Sequence, residues 1–136
     1  MSFEFMDWDL CKREFIRKVF VDEERVSSIV SKALKRLKRA KEGSDMSFIV
    51  EDYYEVIKEL LIAYMLKEGL RSKNHQCLIS FFLLKNPHYR LEARIIQQMS
   101  YFRNRLTYYG EDIPEEFYKK NKEEFKKIID LLLDLI

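Results

Sequence analysis

The sequence predicts an all-α protein, an antiparallel up-and-down bundle of four to five helices, and three observations lead there. Three Gly and two Pro in 136 residues are too few turn formers for an all-β chain, which reverses about every eight to twelve residues. Apolar residues recur at three- and four-residue steps through several long stretches, the signature of amphipathic helices. Hydrophobic residues make up 47% and charged residues 35%, the balance of one globular domain with a buried core rather than a disordered chain.

The elements follow in order. Residues 1–21 form an N-terminal arm, with a short helix over 7–15 and then IRKVFV, whose β-branched and aromatic residues favour extended backbone. Residues 22–136 form the bundle. Its first helix starts near Asp22 and stops at Gly43, with a stripe of Val26, Ile29, Val30, Ala33, Leu34, Leu37 and Ala40. After GSDMS, with Ser47 as the expected N-cap, a helix runs to about Glu68. Val50, Tyr53, Ile57, Leu60, Leu61 and Tyr64 mark one face, and Val56, Ala63 and Leu66 lie on others, so this central helix is sandwiched between neighbours.

Gly69 suits the left-handed residue that ends a helix, with Leu70 as the apolar contact. RSKN reads as a polar turn. HQCLISFFLLKN is apolar nearly all round, and with no partner strand in view it reads as a helix that Asn86-Pro87 ends. The next helix spans about 88–108, with Leu91, Ile95, Met99, Phe102 and Leu106 as its core stripe. Gly110 closes it. Pro114 is expected at the first position of the last helix, where its missing N–H costs nothing. That helix buries Phe117, Phe125, Ile128, Ile129, Leu132 and Ile136 and turns five lysines outward.

The formal net charge of +2 produces no overall field for nucleic acid. No apolar run approaches the ~18 residues of a membrane span, and MSFEFMDWDL carries acids where a signal peptide carries bases. No membrane partner is expected. Cys11 and Cys77 stand apart without CxxC spacing and read as buried thiols, which fits a reducing compartment and a cytoplasmic protein.

Overt chemistry is sparse. His75 and His88 lack a third ligand at metal spacing, so neither a metal nor a cofactor is expected. Asp7 and Asp9 flank Trp8 as a helix start does. Lys35, Arg36, Lys38 and Arg39 form a basic patch that suits phosphates or, more simply, complements the negative end of a helix. YFRNRLTYYG, residues 101–110, is different. Arg103 lies above Met99 at the border of the buried face, where a guanidinium needs a partner, while Asn104 and Tyr108 share a side. A polar helix-to-helix contact or a dimer seam accounts for such groups.

DYYEVIKELLIAYMLKEGLRSKNHQCLISFF, followed by YFRNRLTYYG, resembles the HEPN superfamily, and specifically its small single-domain archaeal and bacterial members. Glu68-Gly69-Leu70 stands at the turn after the Tyr-rich helix and Lys73-Asn74-His75 at the next helix start. The likeness covers about residues 22 to 135. It implies a helical bundle acting as a homodimer, commonly paired with a minimal nucleotidyltransferase in toxin–antitoxin systems. Active members are metal-independent endoribonucleases with an Arg followed four to six residues later by a His. Arg103 and Asn104 match the first half of that motif, whereas Tyr108 stands where the His belongs. A phenol with a pKa of about 10 is a poor base at neutral pH. The expectation is therefore a non-catalytic dimer that binds RNA, a nucleotide or a nucleotidyltransferase partner through Arg103, Asn104 and Tyr108. The alternatives are a ribonuclease toxin with a degenerate motif, or a protein whose Tyr108 or Tyr109 accepts AMP from the nucleotidyltransferase.

Overall fold

Short acidic and amide side chains set where the helices begin. In the computed structural model, which describes residues 4–136, Asp7 opens α1 (Trp8–Glu14), its carboxylate accepting from the Leu10 amide at 3.1 Å. The arm's first three residues lie outside the described residues. Asp22 opens α2 (Glu23–Glu42) by accepting from the Arg25 amide, and Asp45 opens α3 (Met46–Lys67) by accepting from the Phe48 amide. Asn74 opens α4 (His75–Lys85) through the Gln76 amide at 2.8 Å. A 3-10 turn at Pro87–Tyr89 leads into α5 (Arg90–Tyr109), and α6 (Glu115–Leu135) completes the chain. Each such cap satisfies a donor that the first helical turn leaves unpaired.

The expected all-α bundle is what forms, with four long helices and two short ones among the described residues. α3 is its axis, packing against α2, α4, α5 and α6. Most of its surface is buried, from Val50 through Tyr54 and Val56 to Leu66. Gly69 ends α3 and Gly110 ends α5, both at positive φ (75° and 65°), where a side chain is strained.

Several details depart from the sequence reading. Ser47 is not a cap: it lies buried inside the first turn of α3, accepting from the Ile113 amide at 2.9 Å and so pinning the α5–α6 loop. Asp45 takes the cap because it precedes the turn. Pro114 caps α6 rather than entering it. Leu91 is 68% exposed and Leu34 43% exposed, so both leave the core stripes assigned to them. Ala93, Ile96, Gln97 and Ser100 are buried with Ile95 and Met99, which turns the covered face of α5 away from Leu91.

The arm is integral to the fold. β1 (Ile16–Lys18) pairs antiparallel with β2 (Leu70–Ser72), Ile16 opposite Ser72, in a two-stranded ribbon. IRKVFV is thus extended in part, whereas RSKN is half strand rather than all turn. Upstream, α1 packs on α4, and Trp8 stacks tilted on Phe81 at 5.6 Å. Ser80 donates to the Met6 carbonyl at 2.6 Å and Gln97 to the Glu4 carbonyl at 3.0 Å. This docking brings Cys11 and Cys77 together, Cα atoms 5.6 Å apart, and they are joined in a disulfide. They are not the free thiols expected, and the argument for a reducing compartment lapses with them. Cysteines 66 residues apart pair only because the arm folds back, which their spacing does not reveal. No helix among the described residues is long and apolar enough to cross a membrane.

Candidate functional site

Charged residues on a helix that is otherwise buried must leave water together or share a groove. On α3 the charged side chains Glu51, Glu55, Lys58 and Glu59 recur at helical spacing and fall on one side. α2 meets this strip from one flank, where Arg36 Nε donates to Glu59 Oε1 at 2.7 Å. Arg39 forks onto Asp52 with contacts of 2.6 and 3.3 Å. Two of the four residues of the basic patch are therefore committed to α3, while Lys35 and Lys38 remain exposed.

α5 meets the strip from the other flank. Arg103, whose side chain is 25% exposed, places Nη2 3.0 Å from Glu55 Oε1. Its Nη1 donates to Asn104 Oδ1 at 3.2 Å. The partner that the sequence demanded for this guanidinium is thus a carboxylate of the central helix. Lys58 Nζ holds the other oxygen of Glu55 at 2.6 Å. The Arg103–Glu55 approach is close but not aligned as a hydrogen bond, which leaves Arg103 Nε and Glu55 Oε1 buried without hydrogen-bond partners.

A third nitrogen group, an imidazole, comes from α4. His75 begins that helix, and its ring feels Lys58, Glu55 and Arg103 together. Burial pushes the imidazole below its ordinary 6.5, Lys58 and Arg103 add to the shift, and Glu55 opposes it. Glu55 shows the converse balance. Burial pushes its carboxyl up, but the hydrogen bond and charge of Lys58, with the charges of Arg103 and Arg36, bring it below the usual carboxylate value. Behind the cluster, the Tyr54 hydroxyl shares a hydrogen bond with Ser100, which also accepts from Gln76 Nε2 at 3.1 Å. Burial raises the Tyr54 phenol, so it stays protonated.

Comparison with protein families, characterised proteins and solved structures finds no match.

The chemistry of the site is then its own guide. Lys58 and Arg103 meet on the Glu55 carboxylate, His75 lies within range of their charges at the start of α4, and Arg103 Nε retains unused donor capacity. Such a group is suited to a phosphate, which Arg and Lys bind with charge-assisted hydrogen bonds. Arg103 and Asn104, adjacent in the chain, are joined by a hydrogen bond. Tyr108 is not: it is 71% exposed and Tyr109 67%, both at the helix end. Tyr109 carries the Arg105 guanidinium 4.3 Å from its ring centre, and Arg105 also pairs with Glu111. His88 is exposed and lies against Tyr89, far in role from the cluster.

The sequence reading missed His75, Lys58 and Glu55. The glutamates and lysine were legible as a charged strip in an apolar helix. His75 was not, because only the ribbon and the turn after α3 bring the start of α4 beside α5.

Proposed function

We propose that this chain is a HEPN-like, non-catalytic binding protein that engages a phosphate of RNA or of a nucleotide through Arg103, Lys58 and His75. The meeting of Lys58 and Arg103 on Glu55, with His75 within range of their charges, carries the reading. Glu55 holds the two permanent cations in place, so an incoming phosphate meets donors that are already positioned. Asn104 fixes the Arg103 fork, and on the same helical side Tyr108 offers an exposed ring for stacking on a base. The resemblance adds a homodimer as the working assembly, with a minimal nucleotidyltransferase as its partner.

The position of His75 favours one second reading. The motif on α5 lacks its histidine, yet an imidazole held below its ordinary pKa beside Arg103 has the right chemistry for general base catalysis. A ribonuclease would use it in that role. Incubation of purified protein with labelled RNA, with binding and cleavage read on the same samples, separates the two. Binding without cleavage, weakened about tenfold by Arg103→Ala, is the expected result. Cleavage lost in both Arg103→Ala and His75→Ala makes the protein a ribonuclease. The exposure of Tyr108 and Tyr109 also suits an AMP acceptor, and an intact-mass gain of one adenylyl group after co-expression with a nucleotidyltransferase is its signature.

A further inference from the structure

The end of α2, the start of α3 and one side of α6 enclose a cleft of about 500 Å³. Its size is within the range of small-ligand sites. Lys41 reaches it from the last turn of α2, and Tyr118, Lys122 and Lys126 line it from α6 at successive four-residue steps. Tyr53 and Ile49 of α3 form the inner wall. Tyr53 is held in place, since its ring lies 5.8 Å from Phe125 in the core. Burial, and after it the neighbouring Tyr118 and Glu123, raise its phenol, which therefore stays a protonated donor.

No carboxylate lines this cleft, and among the described residues none of its three lysines has an ion-pair partner. On the same helix Lys119 pairs with Glu115 at 2.8 Å and Lys127 with Glu124 at 3.5 Å. Compensation of the helix dipole accounts for Lys41 alone. It does not account for Lys122 and Lys126, which stand mid-helix one turn apart, where like charges repel. Three ammonium groups and two phenols around one concave space make a site for a compact, strongly charged anion.

We propose that this cleft binds a small ligand bearing a diphosphate, with Lys41, Lys122 and Lys126 neutralising its charge and Tyr53 and Tyr118 donating hydrogen bonds. The site is separate from the Arg103 cluster and does not depend on it. Two sources share this chemistry, an inorganic diphosphate and a nucleoside diphosphate.

Calorimetric titration with pyrophosphate and with ADP tests the assignment. Saturable binding is expected, weakened at least tenfold in Lys122→Ala/Lys126→Ala and several-fold in Tyr118→Phe. It should be retained in Lys119→Ala/Lys120→Ala, which removes the same net charge from another part of the helix. Tighter binding of ADP assigns the cleft to a nucleoside diphosphate, and equal affinities assign it to the diphosphate itself. Absence of saturable binding overturns the proposal, as does an equal loss in both lysine pairs. Loss of pyrophosphate binding in Arg103→Ala overturns it too, because the ligand then belongs to the other site. Matching thermal melts across the variants establish that the altered side chains, all exposed except Arg103 and Tyr118, leave the fold intact.

Discussion

Two groups of cations on this molecule differ in one respect: those around Glu55 are tied to carboxylates, and those around Tyr118 are not. Arg103, Lys58 and Arg36 each meet a glutamate of α3, whereas Lys41, Lys122 and Lys126 line a cleft with phenols and an apolar wall and form no ion pair among the described residues. A tied cation has its position fixed but much of its charge cancelled. A free lysine keeps its full charge and pays the entropy of ordering when something binds. The first arrangement favours selectivity and weak dependence on salt. The second favours raw attraction that salt screens.

The largest expected effect separates the two regions through the arm. Cys11→Ser, or reduction of the disulfide, opens a cross-link spanning 66 residues, worth roughly 4 kcal/mol by loop-entropy scaling. Urea denaturation gives that number. Hydrogen exchange should show the loss concentrated at the start of α4, beside His75, with the lysine cleft unchanged. Equal loosening of both regions breaks the contrast.

Next in size is Glu55→Ala, which strands Arg103 and Lys58 in a partly buried groove and should cost about 2 kcal/mol of stability. Glu55→Gln keeps hydrogen-bonding capacity and should cost less. If Glu55→Ala is instead neutral, the cluster is not held together by its acid.

The extent to which these features were legible follows from the kind of signal each one left. Asp22, Gly43, Gly69 and Gly110 announced their helix ends because capping is local, decided by residues three or four apart. Leu34 and Leu91 misled because a periodic stripe says which residues share a side, not whether a neighbour covers all of it. Arg103 was identified as needing a partner, since a guanidinium beside Met99 is conspicuous. Its partner Glu55 lay on another helix, and choosing among the acids of α3 required the crossing of α3 and α5. The same limit hid the Cys11–Cys77 bond and the place of His75, both set by the return of the arm.

A smaller effect follows from pH. His75 has a folded pKa below its unfolded value, so the unfolded chain takes up the proton first as pH falls. The stability associated with the neutral ring is present above the ordinary value and is lost as pH drops toward the folded one. Phosphate binding runs the other way, because a protonated ring adds a charge. Affinity for RNA should be roughly threefold tighter once pH falls below the lowered His75 value than it is at neutral pH, a gain the size of one exposed charge contact. His75→Gln should abolish it, and a gain that survives in this variant assigns the effect elsewhere.

The smallest effect is on the stability of the lysine cleft. Lys122→Ala and Lys126→Ala should each leave unfolding within about 0.5 kcal/mol of the parent. Relief of their mutual repulsion should place the double variant on the stabilised side. A clear destabilisation means that these lysines hold the fold together, and the distinction between tied and free cations then fails.

The ribbon of β1 and β2 also orders events in time. Its two strands are distant along the chain, and the α2–α3 hairpin, closed by a connection of three residues, is what shortens the path between them. The hairpin can assemble from near neighbours, while the ribbon must wait for it. The arm is therefore the last strap fastened, and the caps at Asp22 and Asp45 belong to a hairpin that does not need it.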